Sequence, residues 1–218
     1  MKYKAVLFDM DGTVMNTLAD LADSVNYCLS RFNFPVRTVD EVRSFLGNGS
    51  RYLIEHALPA GTDPAVTEEL LAFYMPWYEQ HCLIKTAPYD GIVPLMEKLK
   101  ALGYKLAVIS NKRDGATREI AGRFFPGLLD LTVGERDGIK RKPAPDMVFA
   151  AAEELGLSLG ECVFIGDSEV DFNTAKNAGV DCICVLWGFR DLHELKKAGA
   201  VVFANDVPAL EKLILEAQ

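Results

Sequence analysis

The chain is 218 residues long, and half of its residues are hydrophobic while a quarter are charged, a balance typical of a globular protein with one large core or two modest ones. The chain has 31 acidic and 23 basic residues, so its formal net charge is −8. This charge disfavours non-specific binding to nucleic acid or to an anionic membrane. Five cysteines without C-x-x-C spacing, no apolar run long enough to span a bilayer and no signal-peptide pattern together predict a cytoplasmic protein with reduced thiols.

Short apolar runs along the chain have the length and composition of strands that are buried on both faces. Helical patterns separate most of these runs, and two of them, "PDMVFAAAEELG" and "EVDFNTAKNAG", end in a glycine suited to the left-handed residue after a helix. This alternation predicts an α/β fold, a Rossmann-like parallel sheet core with helices on both faces. In chain order the predicted strands are residues 3–8, 105–110, 131–134, 162–166, 182–187 and, as a candidate sixth, 200–203.

A long segment interrupts the alternation after the first predicted strand. About ninety residues separate that strand from the second one, far more than a crossover helix needs. Within the segment, "LADLADSVNYCLSRF" and "AVTEELLAFYMPWYEQHCL" have the apolar spacing of amphipathic helices. We therefore predict a small all-α cap domain at residues 15–84, inserted into an α/β core formed by residues 1–14 and 85–218.

Polar residues follow the ends of the predicted strands, where open parallel sheets bind their ligands. The four acidic ones would repel one another if they met at one edge, so such a site requires a cation or a retained proton. Hard oxygen ligands without clustered His or Cys indicate magnesium, and a hydroxyl and a lysine nearby could hold an anionic group. The strand-end residues are Asp9, Asp11, Gly12, Thr13, Ser110, Asn111, Lys112, Lys142, Asp167 and Asp171.

Each of these motifs also has a purely structural interpretation when it is considered alone. A D-x-D-G sequence is common in turns, and the acids of "GDSEVD" are suited to capping a helix. Ser110, Asn111 and Lys142 could each be polar groups of a loop. The joint occurrence of all the motifs at strand ends favours the functional interpretation.

Four motifs occur in a fixed order along the chain: "DMDGT", "VISN", "RKPAPD" and "GDSEVD". Together they resemble the motifs of the haloacid dehalogenase-like phosphohydrolases, and within them the phosphoglycolate phosphatase-like group with a helical cap after the first motif. The resemblance spans essentially the whole chain, and "GNGSRYLIEHAL", "SNK" and "LWGF" are similar to the same group. It implies a phosphatase for a small phosphomonoester, with 2-phosphoglycolate as the leading substrate and Mg²⁺ as the cofactor.

The resemblance also implies a role for each core residue. Asp9 would be the nucleophile that forms an aspartyl-phosphate, and Asp11 would protonate the leaving oxygen and then activate water. Ser110 would donate to the phosphoryl group, and Lys142 would balance the charge of nucleophile and phosphate. The metal would be held by Asp9, the backbone carbonyl of Asp11, Asp167 and, in a supporting role, Asp171.

The loop "GNGSR" of the predicted cap is the best candidate for selecting the organic part of a substrate. Asn48 or Arg51 could reach a substrate carboxylate. A structural alternative explains the same loop as a helix that runs to Gly47 and a new helix capped by Ser50. The predicted substrate-binding residues are Thr13, Asn48, Arg51, Asn111 and Lys112.

Two other functions stay open on the sequence alone. "GNGSR" is also similar to the cap loop of β-phosphoglucomutase-type sugar-phosphate mutases. Receiver-like phospho-signalling modules carry a phosphorylatable Asp, magnesium, a hydroxyl and a Lys at strand ends, although the length, the inserted segment and Asp11 argue against this class. Asn16 stands where the family that the chain resembles commonly has an acid. The resemblance therefore does not specify the details of the hinge into the cap. Neither nucleic acid nor membrane is an expected partner, and the sequence leaves the oligomeric state undetermined.

Overall fold

A computed structural model describes residues 2–217. None of the helices in this range is long and apolar enough to cross a membrane. The strands are β1 (Ala5–Phe8), β2 (Met15–Asn16), β3 (Ala87–Pro88), β4 (Lys105–Arg113), β5 (Leu131–Glu135), β6 (Cys162–Gly166), β7 (Asp181–Val185) and β8 (Phe203–Ala204). The α-helices are α1 (Leu18–Arg31), α2 (Val39–Ser44), α3 (Gly49–Ala57), α4 (Pro64–His81), α5 (Ile92–Ala101), α6 (Asp114–Phe124), α7 (Asp146–Leu155), α8 (Glu169–Ala178), α9 (Leu192–Ala198) and α10 (Val207–Leu215).

The chain divides into two compact units. Residues 2–15 together with 88–217 form the first, which we call the α/β unit, and Asn16–Ala87 form the second, the helical unit. The chain passes from one unit to the other within β2 and returns within β3, and these two short strands are hydrogen-bonded neighbours in a two-stranded sheet. The insertion therefore leaves and re-enters the α/β unit at one place.

The α/β unit is built on a six-stranded sheet in the order β5-β4-β1-β6-β7-β8. Every adjacent pair is parallel, which confirms the predicted α/β fold. Five of the six predicted strands are present, while the candidate sixth, predicted at 200–203, shares only Phe203 with the short β8. Left-handed glycines, Gly156 and Gly179, end α7 and α8 as their sequence patterns predict.

Apolar side chains bury β1 completely. Ala5 and Leu7 belong to a cluster with residues of α7 and α8, and Val6 and Phe8, which point to the opposite face, also have no exposed surface. The strand lies at the middle of the sheet, with β4 on one side and β6 on the other. The residue that follows β1 is therefore held by a rigid, fully packed strand.

Four helices make up the helical unit, in which α1 packs against α2 and α4, and α3 packs against α4. The loop "GNGSR" lies between α2 and α3, but α2 ends at Ser44, before the loop begins. Asn48 is the residue that precedes α3, and Ser50 lies inside that helix. The structural alternative with a helix to Gly47 and a cap at Ser50 is therefore wrong in its details.

A buried carboxylate joins the two ends of the helical unit. Asp20, in the first turn of α1, is 2 % exposed and accepts hydrogen bonds from the backbone N–H groups of Ile84, Lys85 and Thr86 at 2.9–3.0 Å. These three residues lie on the segment that leads from α4 to β3. The sequence gives no sign of this contact, because its partners lie more than sixty residues away.

We expect Asp20→Asn to lower the free energy of unfolding by about 2 kcal/mol, because an amide keeps one acceptor oxygen but turns a donor toward the N–H groups. Asp23→Asn is the matched control, since that side chain is 62 % exposed and pairs with Lys85 at 2.6 Å, and its expected cost is below about 0.5 kcal/mol. Urea denaturation followed by circular dichroism measures both. Equal shifts in the two variants would contradict the anchoring role of Asp20.

Candidate active site

The strand ends of the α/β unit gather polar side chains at one edge of the sheet. Asp9 follows β1 directly, and its N–H continues the ladder to β6 by donating to the carbonyl of Ile165 at 2.8 Å. In the register of the sheet Phe8 lies opposite Val108 of β4 and Ile165 of β6. Asp167, which follows β6, and Ser110, in the C-terminal half of β4, therefore lie at the same edge as Asp9.

Three buried carboxylates form the centre of this edge. Asp9, Asp167 and Asp171 each offer an oxygen such that all three oxygens lie within 4.8 Å of one another. Their exposed fractions are 6 %, 1 % and 1 %. Three acids so close and so well shielded from water repel one another strongly unless a cation lies among them.

Lys142 is the cation that contacts two of these acids. Its Nζ lies 2.5 Å from Oδ1 of Asp9 and 2.6 Å from Oδ1 of Asp171, and the side chain is 3 % exposed. The backbone of Lys142 is fixed as well, because its N–H donates to the side chain of Asn111 at 2.8 Å and its carbonyl accepts from the same amide at 2.9 Å. Asn111 thus positions the lysine and gives the loop before α7 a defined place.

The charges of the cluster remain unbalanced. Burial and the charge of Asp171 raise the pKa of Asp9 well above its usual value, although Lys142 opposes the effect. Burial, with the charge of Asp171 added to it, raises the pKa of Asp167 to about 7. Burial alone would lower the pKa of Lys142, but the charges of Asp171 and Asp9 outweigh it and raise that pKa. The site thus favours additional positive charge.

Asp171 has a structural role besides its place in the cluster. Its Oδ2 accepts from Ser168 Oγ at 2.6 Å and from the N–H groups of Ser168 and Asp167 at 3.1 and 3.2 Å, which caps the start of α8. The capping interpretation of "GDSEVD" is therefore right for one oxygen, while the other oxygen contacts Lys142. One residue serves both purposes.

The turn after β1 brings Asp11, Gly12 and Thr13 to the cluster. Asp11 Oδ1 lies 3.2 Å from Nζ of Lys112, a lysine whose side chain is 7 % exposed. Thr13 is fully buried, and its hydroxyl donates to Oδ1 of Asp167 at 3.1 Å. Gly12 has φ +92°, and a Cβ there would collide with the carboxylate of Asp167, so only glycine fits. The glycine makes room for this acid, and its own N–H donates to the carbonyl of Met15.

Strand β4 is irregular after Ile109. The pairing of β4 with β5 shifts register between Ile109 and Arg113, as strands commonly do beside binding sites. Ser110 lies in this stretch, is 1 % exposed and accepts a hydrogen bond from the N–H of Lys112 at 3.1 Å. The motif "SNK" therefore contributes a buried hydroxyl, the amide that holds Lys142 and the partner of Asp11.

The model of one protein family, described as haloacid dehalogenase-like hydrolase, matches residues 6–185. The chain belongs to this family. It is 31 % identical over 192 residues to the phosphoglycolate phosphatase of Thiobacillus denitrificans, covering 86 % of this chain and 85 % of that protein. With the phosphoglycolate phosphatase of Colwellia psychrerythraea it shares 30 % identity over 90 % of each chain.

Solved structures agree with this family assignment. The crystal structure of a protein from Lactobacillus delbrueckii subsp. bulgaricus, which carries a provisional phosphoglycolate phosphatase name, superimposes with a TM-score of 0.95. The two chains are 38 % identical, and all of each is covered. The match to this solved structure thus extends over the described residues 2–217.

The donor set of this hydrolase fits a hard divalent cation. Carboxylate oxygens are the ligands that such ions prefer, and Asp9, Asp167 and Asp171 present three within reach of one another. The raised pKa values of Asp9 and Asp167 are the physical sign that positive charge would be stabilised there. Asp11, whose backbone carbonyl the resemblance names as a further ligand, begins the turn beside them.

The two candidate residues of the helical unit have contacts of their own. Arg51 forms a two-pronged ion pair with Glu68, at 2.5 and 2.9 Å, which joins α3 to α4. Asn48 is partly buried before α3 and makes no side-chain capping bond. Asn16 is exposed and belongs to β2. Among these, the pairing of Arg51 with Glu68 could not be read from the sequence.

Sequence reasoning missed one set of contacts at the site. The segment after β7 donates to it twice, from the indole Nε1 of Trp187 to the carbonyl of Thr13 at 3.0 Å and from the N–H of Phe189 to Oδ2 of Asp167 at 2.7 Å. The only signal in the sequence was the weak likeness of "LWGF" to the same group of phosphatases. Backbone donors leave no mark on composition or spacing.

Proposed function

We propose that this hydrolase is a Mg²⁺-dependent phosphatase that converts 2-phosphoglycolate, a small phosphomonoester, to the free alcohol and phosphate. The observation that carries the proposal is the buried contact of Lys142 Nζ with Asp9 at 2.5 Å inside a three-carboxylate cluster. The relatives named phosphoglycolate phosphatase, which match over most of the chain, support the choice of substrate.

Asp9 is the proposed nucleophile. Its backbone is held by a rigid strand, and Lys142 keeps one carboxylate oxygen in place and favours the ionised form. In the first step the other oxygen attacks phosphorus, the bond from phosphorus to the ester oxygen breaks, and Asp11 gives its proton to the departing alkoxide. The products of this step are the alcohol and an aspartyl-phosphate on Asp9.

In the second step Asp11 acts as a base. It removes a proton from water, the water oxygen attacks phosphorus, and the bond to Asp9 breaks to release phosphate and restore the carboxylate. Lys112 Nζ, 3.2 Å from Oδ1 of Asp11, orients this side chain and pairs with its carboxylate once the proton has left in the first step. Ser110, buried at the same edge, is the proposed donor to a phosphoryl oxygen.

The proposed ligands of Mg²⁺ are Asp9, the backbone carbonyl of Asp11 and Asp167, with Asp171 in a supporting role. When bound, the ion would neutralise the charge shared by the carboxylates and the phosphoryl group.

The cap is proposed to be the helical unit. Asn48 and Arg51 are its candidates for contacting the organic part of the substrate. On the α/β unit the candidates are Thr13, Asn111 and Lys112. Because Arg51 forms an ion pair with Glu68, it can bind a substrate carboxylate only if this ion pair breaks.

Removal of divalent ions tests the metal. We expect EDTA to abolish turnover and added Mg²⁺ to restore it. Without substrate, Mg²⁺ at 100 times its Kd is expected to stabilise the protein by about 2.7 kcal/mol, seen as a rise in melting temperature. In Asp167→Asn this rise should be largely lost. An equal rise in that variant would place the ion elsewhere.

Release of phosphate from a substrate panel tests the activity. The panel contains 2-phosphoglycolate, sugar phosphates, pyrophosphate and nucleoside monophosphates, and we expect kcat/KM to be greatest for 2-phosphoglycolate. An isomerised sugar phosphate in place of free phosphate would indicate a mutase. A phosphorylated protein that lasts for hours without turnover would indicate a signalling module.

A further inference from the structure

Four consecutive residues after β7, Trp187–Arg190, contact the residues around the carboxylate cluster; we call this segment the clasp. Trp187 Nε1 donates to the carbonyl of Thr13 at 3.0 Å. The N–H of Phe189 donates to Oδ2 of Asp167 at 2.7 Å. Arg190 Nε donates to Oε2 of Glu169, in the first turn of α8, at 2.8 Å. The clasp therefore ties the turn after β1 to the start of α8.

Gly188 fits the clasp because it has no side chain. A Cβ built at this position would collide with the Cβ and Oδ2 of Asp167 and with the carbonyl oxygen of Gly12. The carboxylate of Asp167 thus lies directly against the backbone of the clasp. Any side chain at position 188 has to displace either Asp167 or the turn that contains Gly12.

The clasp controls both oxygens of Asp167. Oδ2 accepts from the clasp itself, at Phe189, and Oδ1 accepts from the hydroxyl of Thr13 at 3.1 Å, whose backbone the clasp holds through Trp187. Asp167 is 1 % exposed and Phe189 is 5 % exposed, so water has little access to these bonds. Two directed donors on a buried carboxylate fix its orientation.

We propose that the clasp is a positioning element that sets the orientation of the Asp167 carboxylate and thereby the affinity of the site for Mg²⁺. The inference rests on the proposed function, because it takes Asp167 as a metal ligand. Partners that orient a ligating carboxylate typically change metal affinity by about 10–100-fold when they are removed. The clasp acts through Asp167 and Thr13 and is not itself a ligand of the metal or the substrate.

The test is a thermal-shift titration with MgCl₂ and no substrate, which yields the Mg²⁺ Kd and the metal-free melting temperature together. Gly188→Ala is expected to raise Kd by about 10–100-fold. Trp187→Phe, which keeps an aromatic ring but loses the indole donor, should raise Kd by about 10-fold, the lower end of this range, because it acts only through Thr13. The matched controls are Gly122→Ala, where nothing lies within 4 Å of the added Cβ, and Trp77→Phe in the helical unit, and both should keep the wild-type Kd.

A purely structural role would lower the metal-free melting temperature and leave the Mg²⁺ Kd unchanged, and that result would overturn the proposal. If Gly188→Ala fails to fold, Trp187→Phe decides alone: a wild-type Kd overturns the proposal and a raised Kd supports it. A wild-type protein that does not bind Mg²⁺ would instead overturn the proposed function, and the clasp inference with it. The two failures are therefore distinguishable.

Discussion

Replacing Asp9 by Asn is expected to lower kcat by at least about 10⁴-fold, because an amide cannot attack phosphorus while the rest of the site stays in place. The fold should survive. Asp9 shares a buried cluster with Asp167 and Asp171, and one lysine faces the three acids. Removing one negative charge relieves repulsion, so the metal-free melting temperature should stay the same or rise.

Phosphate release and thermal unfolding of the same Asp9→Asn preparation measure both effects. Asp181→Asn is the control, since that acid is 52 % exposed and pairs with Lys2 away from the cluster, and its kcat should equal that of the wild type. Activity of Asp9→Asn within about 100-fold of the wild type would refute Asp9 as the nucleophile. A large fall in melting temperature would refute the charge argument.

Replacing Lys142 by Met is expected to cost about 3–5 kcal/mol, because it leaves Asp9 and Asp171 as buried charges without their shared cation. For a chain of this size that corresponds to a fall in metal-free melting temperature of about 6–20 °C. Turnover should also fall by more than about 10³-fold, since Lys142 no longer orients the nucleophile or offsets the charge of the phosphoryl group.

Lys98→Met is the matched control for this substitution. Lys98 is 52 % exposed and pairs with Glu211 at 2.6 Å, so its loss should change stability by less than about 0.5 kcal/mol. Combining Asp9→Asn with Lys142→Met should recover part of the stability, because one of the two unpaired charges is then absent. Strict additivity of the two substitutions would contradict a direct coupling between the residues.

The strands of the sheet could be predicted from the sequence because they are buried on both faces. Runs such as "AVLF" and "CVFIG" are apolar throughout, and that pattern has few explanations other than a central parallel strand. The very short β8 is harder to predict, since its two residues carry little pattern. The loop from α2 to α3 was harder, because Gly47, Asn48 and Gly49 each suit a helix end or a helix start.

The side chains of the cluster could be predicted as a group because each follows a strand, and strand ends share one edge of a parallel sheet. The hydrogen-bond and ion-pair partners of individual side chains could not be predicted. Asp20 binds backbone N–H groups far along the chain, and Arg51 pairs with Glu68 on another helix. Such contacts depend on packing between elements, which residue type and spacing do not specify. The roles of Asp9, Asp11 and the remaining site residues stay predictions until the variants are measured.

The pairing of β2 with β3 has a consequence for how this chain could be rebuilt. Since the exit and return of the inserted unit are neighbouring strands of one two-stranded sheet, the two ends that a shorter connection would have to join lie side by side. A deletion variant lacking residues 18–85 is thus expected to keep the parallel sheet. Other domains could be inserted between β2 and β3 in place of the deleted segment. Exchange of the insertion would leave the sheet untouched.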